Sequence, residues 1–184
     1  HEACDLSVRA QGNTEECRLR ATMLVLSGSS IMFSDDMTRL PEERIRLMQQ
    51  CMPALSQAAR PLNLFAADMP DQWHLRAEQA GLRWDLLALF NLAEAQKEVE
   101  IRWEDLGLPA DAPYLVREFW TGACEGVYTD AARLVAPGLS ARLYSFWPAL
   151  DRPHYTGTDM HLSQGIAELQ SISWRFARHW TGDC

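Results

Sequence analysis

The sequence lacks a long apolar run and a cluster of basic residues, and each absence excludes a class of partner. No stretch approaches the roughly 18 apolar residues that a membrane span needs, and the most apolar segment, 21–33, is interrupted by SGSS at 27–30. The 17 basic residues are scattered, most of them are Arg, and the net charge is −8. Because nucleic-acid phosphates are bound by clustered Lys and Arg, we expect neither a nucleic acid nor a membrane as partner.

Cysteine pairs with the spacing of a metal knuckle or a redox motif are also missing. The five cysteines are widely spaced, and no two of them form a CxxC pair. Their number is odd, so at least one thiol is unpaired within the chain or bonds to another chain. We expect reduced thiols of the kind found in cytosolic proteins. The chain begins without a basic and apolar leader, which favours a cytoplasmic location, although a mature secreted chain fits the same residues.

What the chain does contain is a series of short apolar runs between turn residues. In 97–103 apolar and charged residues alternate strictly, so that Val99, Ile101 and Trp103 face one side. Gly, Pro and Asp separate such runs at near-regular intervals over 84–147, which is typical of an antiparallel β-sandwich. We predict strands over these ranges: 72–78, 82–91, 97–103, 114–120, 131–136, 139–147 and 166–175.

A different pattern precedes these runs. We predict a helix over 14–27 with Asn13 as its cap and Gly28 at its end, then a buried strand at 31–33. A second helix is predicted to begin near Pro41 and to stop at Pro53.

The start of the chain, 1–12, is polar and irregular and is expected to be frayed. The predicted fold class is therefore α+β, mainly β. Residues 1–60 are expected to form a helix–strand–helix unit, and 61–184 an antiparallel β-sandwich.

Two segments resemble α-galactosidase (melibiase-like) glycoside hydrolases. RATMLVLSGSSIMFSDDMTRLPEERIRLM, from Arg20, resembles the end of the family's (β/α)8 barrel, from the seventh helix through the eighth strand to the eighth helix. The segment 88–148 contains DLGL, then WTG, then VAPG, in the order of the family's C-terminal β-sandwich. The resemblance covers about 21–147 and implies that the chain is the C-terminal part of such an enzyme, with 1–60 as a barrel remnant.

The resemblance also implies where substrate is contacted and where the chemistry lies. The turn after the eighth barrel strand lines the substrate pocket in the family, and it corresponds to Phe33, Asp35 and Asp36 in this chain. The family's nucleophile and acid/base, the two carboxylates of a retaining mechanism, are Asp residues on earlier barrel strands. No matching motif precedes residue 13. We therefore expect a non-catalytic accessory portion that needs no cofactor.

A barrel remnant exposes the apolar faces that the rest of a barrel would bury. We expect them to be covered by the sandwich, by self-association into a homo-oligomer, or by a partner. The acidic residues Asp35, Asp36, Glu42 and Glu43 form a cluster that suits acid/base chemistry or cation binding. Acids at a helix N-terminus that favour its dipole are the more ordinary explanation.

Two further functions remain open on the sequence alone. His154, Asp159 and His161 lie in one Gly-containing segment and are residue types that ligate Zn²⁺ or another divalent metal, which would activate a water for hydrolysis. Hydrogen-bonded loop histidines are the alternative explanation. The seven tryptophans suggest a carbohydrate-binding module if some of their rings are exposed to stack on sugars, whereas alternating strand positions favour core packing.

Overall fold

The computed structural model describes residues 5–8, 12–65 and 69–172. The strands are β1 (Asp5–Leu6), β2 (Met32–Phe33), β3 (Arg60–Pro61), β4 (Gln72–Gln79), β5 (Leu82–Asn91), β6 (Lys97–Arg102), β7 (Pro113–Glu118), β8 (Cys124–Thr129), β9 (Ala131–Ala136) and β10 (Ser140–Pro148). The helices are α1 (Thr14–Leu26), α2 (Glu42–Gln50) and α3 (Trp103–Leu106), and a 3-10 turn spans Met37–Arg39. Among the described residues, no helix is long and apolar enough to cross a membrane.

The first four elements, β1-α1-β2-α2, form two consecutive β/α units. β1 and β2 pair in parallel, with Leu6 opposite Phe33. The expected frayed start is therefore wrong for its described part, because Leu6 and Val8 are fully buried. Parallel strands joined through a helix are the repeating unit of (β/α) barrels.

Local signals in the sequence explain the ends of α1. The Asn13 side chain accepts a hydrogen bond from Glu15 N at 3.0 Å, as the predicted cap should. Gly28 follows the helix with φ +67°, and a Cβ there would lie 2.7 Å from the Gln57 carbonyl carbon. Only glycine fits both the left-handed backbone and this close approach.

Six strands form one sheet in the order β3-β4-β5-β10-β7-β8, and every neighbouring pair is antiparallel. β6 and β9 form a second, two-stranded antiparallel sheet. One face of the six-stranded sheet packs on the β/α units and the other packs on β6 and β9. The predicted antiparallel sandwich and the mainly-β fold class are confirmed.

Apolar cores lie on both faces of the six-stranded sheet. The first contains Leu24 of α1 together with Trp84 and Trp147, whose rings stack with centroids 4.6 Å apart. The second contains Trp103 and Phe146, edge to face at 5.7 Å. Because the first core includes residues of α1, α2, β5 and β10, the sandwich covers one apolar side of the β/α units.

No strand was predicted over β8, because Gly122 and Gly126 are typical of turns. Gly122, the glycine of the WTG motif, turns the chain with φ +71°. Residues 124–129 then run back along β7, with a register shift between Val116 and Arg117. The pairing partner, and not a local pattern, makes this segment a strand.

The predicted strand at 166–175 is wrong over 166–172, and its remainder lies outside the described residues. The chain folds on itself there, because the Glu168 carboxylate accepts hydrogen bonds from Ser163 Oγ and from Gly165 N. In addition, Ile166 N donates to Ser163 O and Leu169 N donates to Gly165 O, so these backbone groups close local turns and do not pair with a strand.

Candidate functional site

The predicted substrate-lining residues follow the second parallel strand. Asp35 Oδ2 accepts from Val8 N at 2.6 Å and Asp35 Oδ1 accepts from Ser7 Oγ at 3.3 Å, so this side chain ties the segment after β1 to the segment after β2. Asp36 caps the 3-10 turn through bonds from Thr38 N and Thr38 Oγ1 at 3.1 and 2.6 Å. Phe33 packs at the edge of the first core. A role in lining substrate stays a prediction.

The predicted metal ligands are not gathered around one point. His154 Nδ1 lies 2.9 Å from Arg152 O, and the Asp159 carboxylate faces Arg46 at 3.6 Å. His154 Nε2 and His161 Nδ1 are buried without a hydrogen-bond partner. In 5–8, 12–65 and 69–172, however, no three His, Cys, Asp or Glu side chains are placed to hold a metal ion.

The tryptophans that the structure describes are largely core residues. Trp84, Trp103 and Trp147 are buried to 2% exposure or less, and Trp73 and Trp120 are half-buried against the first core. The Trp73 and Trp120 Nε1 groups donate to Pro70 O and Thr22 Oγ1. These rings offer no fully exposed stacking platform for sugars; Trp174 and Trp180 lie outside the described residues.

The WTG motif is organised by one buried carboxylate. Glu118 is 2% exposed. Its Oε1 accepts from Trp120 N and Leu143 N at 3.1 and 3.2 Å, and its Oε2 accepts from Thr121 N and Thr121 Oγ1, both at 2.7 Å. This side chain therefore fixes the turn after β7 and joins it to β10, which is a structural role.

The VAPG motif is explained by a close approach of two loops. A Cβ on Gly138 would lie 1.8 Å from Glu94 O, so any other residue would force the backbone apart. Asn91, the last residue of β5, donates from Nδ2 to Ala136 O and Pro137 O at 3.0 Å each. Gly138 and Asn91 thus hold the β5–β6 and β9–β10 loops together.

The DLGL motif forms α3 and its end. Asp105 Oδ2 accepts from Arg102 N at 3.3 Å at the start of the helix, and Leu106 is fully buried in the second core. Gly107 ends the helix with φ +65°. The Leu106 and Gly107 carbonyls accept from Arg76 Nη2 at 2.6 and 3.1 Å.

A buried ionic cluster holds Arg76 in this position. Asp85 Oδ1 lies 2.7 Å from His74 Nε2 and 3.0 Å from Arg76 Nε, and both Asp85 and His74 are at least 97% buried. Arg60 Nε donates to His74 Nδ1 at 3.4 Å. Since Nδ1 is the acceptor, the ring hydrogen is on Nε2 and points at Asp85.

Beside this cluster a groove of about 260 Å³ opens at the edge of the sandwich, between the six-stranded sheet and the end of α3. We call it the Asp85 groove; it is lined by Arg76, Arg83, Asp85, Gly107, Leu108, Pro109, Tyr114 and Pro148. Burial raises the pKa of Tyr114 and the charge of Asp85 raises it further, while Arg76 and Arg83 act in the opposite direction.

The sequence analysis missed the Asp85 groove. One signal was available, because Asp85 interrupts the apolar run WDLLALFNL, and a charge within a buried strand needs a partner. The partners themselves come from the register of β4 and β5, which places Arg76 opposite Asp85. The turn after α3 then closes the groove from a distant part of the chain.

A larger cleft of about 320 Å³ lies between α1, α2 and the WTG turn. Arg18 bonds Glu15 at 2.7 Å, and its guanidinium lies 5.4 Å from the Trp120 ring centre. Arg44 donates from Nη2 to Gly12 O. The Arg44 Nε and Nη1 atoms are buried without a hydrogen-bond partner, and Nε lies 3.7 Å from a Glu43 carboxylate oxygen.

The comparisons with known proteins confirm the predicted resemblance. Residues 80–142 match the family model described as the alpha galactosidase C-terminal beta sandwich domain. DLGL, WTG and VAPG all lie within these residues. A sequence comparison with curated proteins gives no significant match.

Solved structures share the fold beyond the matched segment. They include α-galactosidase I from Mortierella vinacea (19% identity, TM-score 0.63, 79% of this chain and 38% of that one). A GH27 β-L-arabinopyranosidase from Geobacillus stearothermophilus has 19% identity and a TM-score of 0.62, over 78% of this chain and 32% of that one. The α-galactosidase from Saccharomyces cerevisiae has 11% identity and a TM-score of 0.61, over 79% of this chain and 46% of that one. The chain thus spans between a third and a half of these structures.

Proposed function

We propose that this chain is the C-terminal accessory portion of an α-galactosidase-like glycoside hydrolase and has no catalytic groups of its own. The observation that carries the proposal is the first core, in which α1 and α2 of the β/α units pack with β5 and β10 of the sandwich. A sandwich that shares its core with barrel elements stabilises a barrel end, as an accessory domain does. Of the three motifs, WTG takes part in this packing, because Trp120 packs against the first core and donates from Nε1 to Thr22 Oγ1 of α1; DLGL packs in the second core.

The proposal assigns substrate choice to parts of the enzyme outside this chain. One structure with the same fold is an α-galactosidase and another is a β-L-arabinopyranosidase. A fold shared by enzymes that cleave different sugars does not by itself select the sugar. In the retaining mechanism two carboxylates flank the scissile bond. We infer that both come from barrel strands other than β1 and β2.

The parallel pair β1–β2 is also the place where a partner would join. Within the described residues this sheet has two strands, and unpaired strand edges are sites of strand addition. Met32 and Met37 beside them are 56% and 54% exposed. We propose that further barrel strands cover this face in the assembled enzyme, and that a second copy of the chain covers it when the chain is alone.

The test of the accessory role is an assay of the purified chain with p-nitrophenyl α-galactoside. We expect no turnover above a preparation from host cells that lack the gene. Turnover that survives a chelator would contradict the accessory role. Turnover lost with chelator and in His161→Ala would instead support the metal-dependent hydrolase, with His179→Ala as the matched histidine control.

The test of self-association is sedimentation velocity over a range of concentrations. We expect a homo-oligomer that dissociates in Met32→Glu and Met37→Glu, because a carboxylate in an apolar interface is costly. Met160→Glu changes a methionine of similar exposure, 65%, in a different segment and should leave the oligomer intact. A monomer at every concentration would refute this part of the proposal.

A further inference from the structure

We infer that the Asp85 groove binds one neutral sugar unit through a pair of neighbouring hydroxyl groups. The inference rests on the groove and not on the accessory role. It also differs from the tryptophan-based module considered above, since it uses no stacked ring. Its ligand class follows from what the groove offers and what it repels.

The first observation is an unused acceptor. Asp85 is 1% exposed, yet its carboxylate lines the groove. Both hydrogen bonds that it receives from the described residues, from His74 and Arg76, end on Oδ1. A carboxylate accepts about four hydrogen bonds over its two oxygens, so Oδ2 is left for a donor in the groove.

The second observation is the mixed charge. Arg76 and Arg83 bring two guanidinium groups, and Asp85 brings one carboxylate. The Asp85 carboxylate would repel a simple anion, and the two guanidinium groups would repel a simple cation. A neutral molecule with donors and acceptors side by side avoids both conflicts. One hydroxyl of a vicinal pair can donate to Asp85 Oδ2 while its neighbour accepts from Arg83.

The third observation is the apolar wall. Leu108, Pro109 and Pro148 line the groove together with the charged residues. Ligand sites combine such apolar contact with a few oriented polar groups. The C–H face of a pyranose matches this wall while its hydroxyl edge faces Asp85. The Tyr114 hydroxyl adds a further polar group.

The cluster pre-organises this site. Arg76 is held by Asp85 and by two carbonyls at the end of α3, and His74 fixes Asp85 from the other side. Groups that are already oriented lose little freedom when a ligand binds. Arg83, by contrast, is exposed on the hairpin between β4 and β5.

The experiment is a titration of the full ¹⁵N-labelled chain with methyl α-galactoside, methyl α-glucoside and methyl α-mannoside. Binding is detected by changes in the NMR chemical shifts of the backbone amides. Tetrahydropyran-2-methanol, which lacks vicinal hydroxyls, is the matched negative probe, and sodium acetate tests for an anion site. We expect saturable shifts at Gly107 and Arg83 with at least one glycoside and with neither control.

Variants then assign the polar contacts. Arg83→Ala should weaken binding about tenfold, the loss of one good hydrogen bond to a charged group, and Tyr114→Phe should weaken it less. Arg133→Ala, an arginine 75% exposed on β9, is the matched control and should bind as the parent chain does. Asp85→Asn should abolish binding, but it also disturbs the cluster, so Arg83→Ala decides the matter.

The inference is overturned by any of three results. These are the absence of saturable shifts with all three glycosides, equal shifts with acetate, and unchanged binding in Arg83→Ala. None of these results depends on hydrolysis. The binding site and the accessory role therefore stand or fall separately.

Discussion

At the scale of single residues, the sequence motifs of this chain are explained by packing and hydrogen bonding and not by chemistry. Glu118 satisfies four donors at once, and Gly138 allows two loops to touch. Asp35 and Asp36 likewise bond to nearby backbone groups. Such residues are fixed by geometry, so their identity alone does not reveal an active site.

Replacing Glu118 by Ala is expected to be strongly destabilising. The change leaves the backbone N–H groups of Trp120, Thr121 and Leu143 without their acceptor, and a buried donor without a partner costs about 1–3 kcal/mol. Some will find water, so we expect a loss of about 3 kcal/mol in the free energy of unfolding. Urea denaturation followed by tryptophan fluorescence measures it.

The matched control is Glu125→Ala, which removes an exposed carboxylate from β8, the strand paired with that of Glu118. It should change the free energy of unfolding by no more than about 0.5 kcal/mol. If Glu118→Ala and Glu125→Ala have the same small effect, the proposed role of Glu118 in the WTG turn is wrong.

At the scale of elements, α1 is joined to the six-stranded sheet by an ion pair as well as by the first core. Glu15 Oε2 bonds Arg142 Nη1 on β10, and Glu15 Oε1 bonds Arg18 Nη1, both at 2.7 Å. Burial raises the pKa of Glu15, but the bonds and charges of Arg142 and Arg18 outweigh burial and hold it below its ordinary value.

This lowered pKa predicts a pH-dependent contribution to stability. A depressed folded-state pKa stabilises the fold above the ordinary value of 4.5, and that stabilisation is lost as the pH falls through the folded value. We expect Glu15→Gln to lower the free energy of unfolding by about 1 kcal/mol at pH 7. The effect is this small because the Glu15–Arg142 ion pair is partly exposed. The difference from the parent chain should shrink steadily below pH 4.5.

Urea denaturation at pH 7 and at several values below 4.5 measures this difference. Glu16→Gln is the matched control, because Glu16 is 60% exposed and pairs with Arg20 on the same helix, at 3.2 Å. A pH-independent difference between Glu15→Gln and the parent chain would show that lost packing, and not charge, is responsible.

Elements with strong local signals were predictable from the sequence, and elements made by distant partners were not. α1 has its cap at Asn13, and β6 alternates strictly, so both were predicted close to their bounds. β1 is two residues long and is a strand only because β2 pairs with it. β8 depends in the same way on β7.

The candidate site was likewise not predictable from local sequence, because it depends on residues that are distant along the chain. The apolar run of β5 predicted the strand, while the role of Asp85 depends on residues that β4 and α3 bring beside it. His154, Asp159 and His161 also lie close along the chain, and the metal site that this spacing suggested stays a prediction. The described residues place no three such side chains around a metal. Proximity in sequence does not fix the direction in which loop side chains point.

At the scale of the whole molecule, the relation between the β/α units and the sandwich decides how the chain unfolds. The sequence predicts two domains, 1–60 and 61–184. The first core runs across that boundary, since Leu24 and Leu47 pack in it with Leu86 and Trp147. Because the two parts share one core, we expect neither to be stable without the other. We therefore predict one cooperative transition for the chain.

The chain provides a separate probe for each part. α1 and α2 lie before residue 61, and all seven tryptophans lie after it. Circular dichroism at 222 nm thus follows mainly the helices, and tryptophan fluorescence follows the sandwich. We expect the two signals to coincide during urea denaturation, which is the test of two-state unfolding.

The variant Leu24→Ala sharpens this prediction, because it truncates a buried residue of α1 alone. Deleting a buried leucine costs about 2–5 kcal/mol, and with a shared core that loss should move both signals to the same lower midpoint. Leu92→Ala, at a residue 52% exposed after β5, should leave both midpoints nearly unchanged. If Leu24→Ala moves the dichroism signal while the fluorescence midpoint stays in place, the two parts unfold independently. The sandwich would then not depend on the barrel elements, and the packing argument for an accessory role would fail.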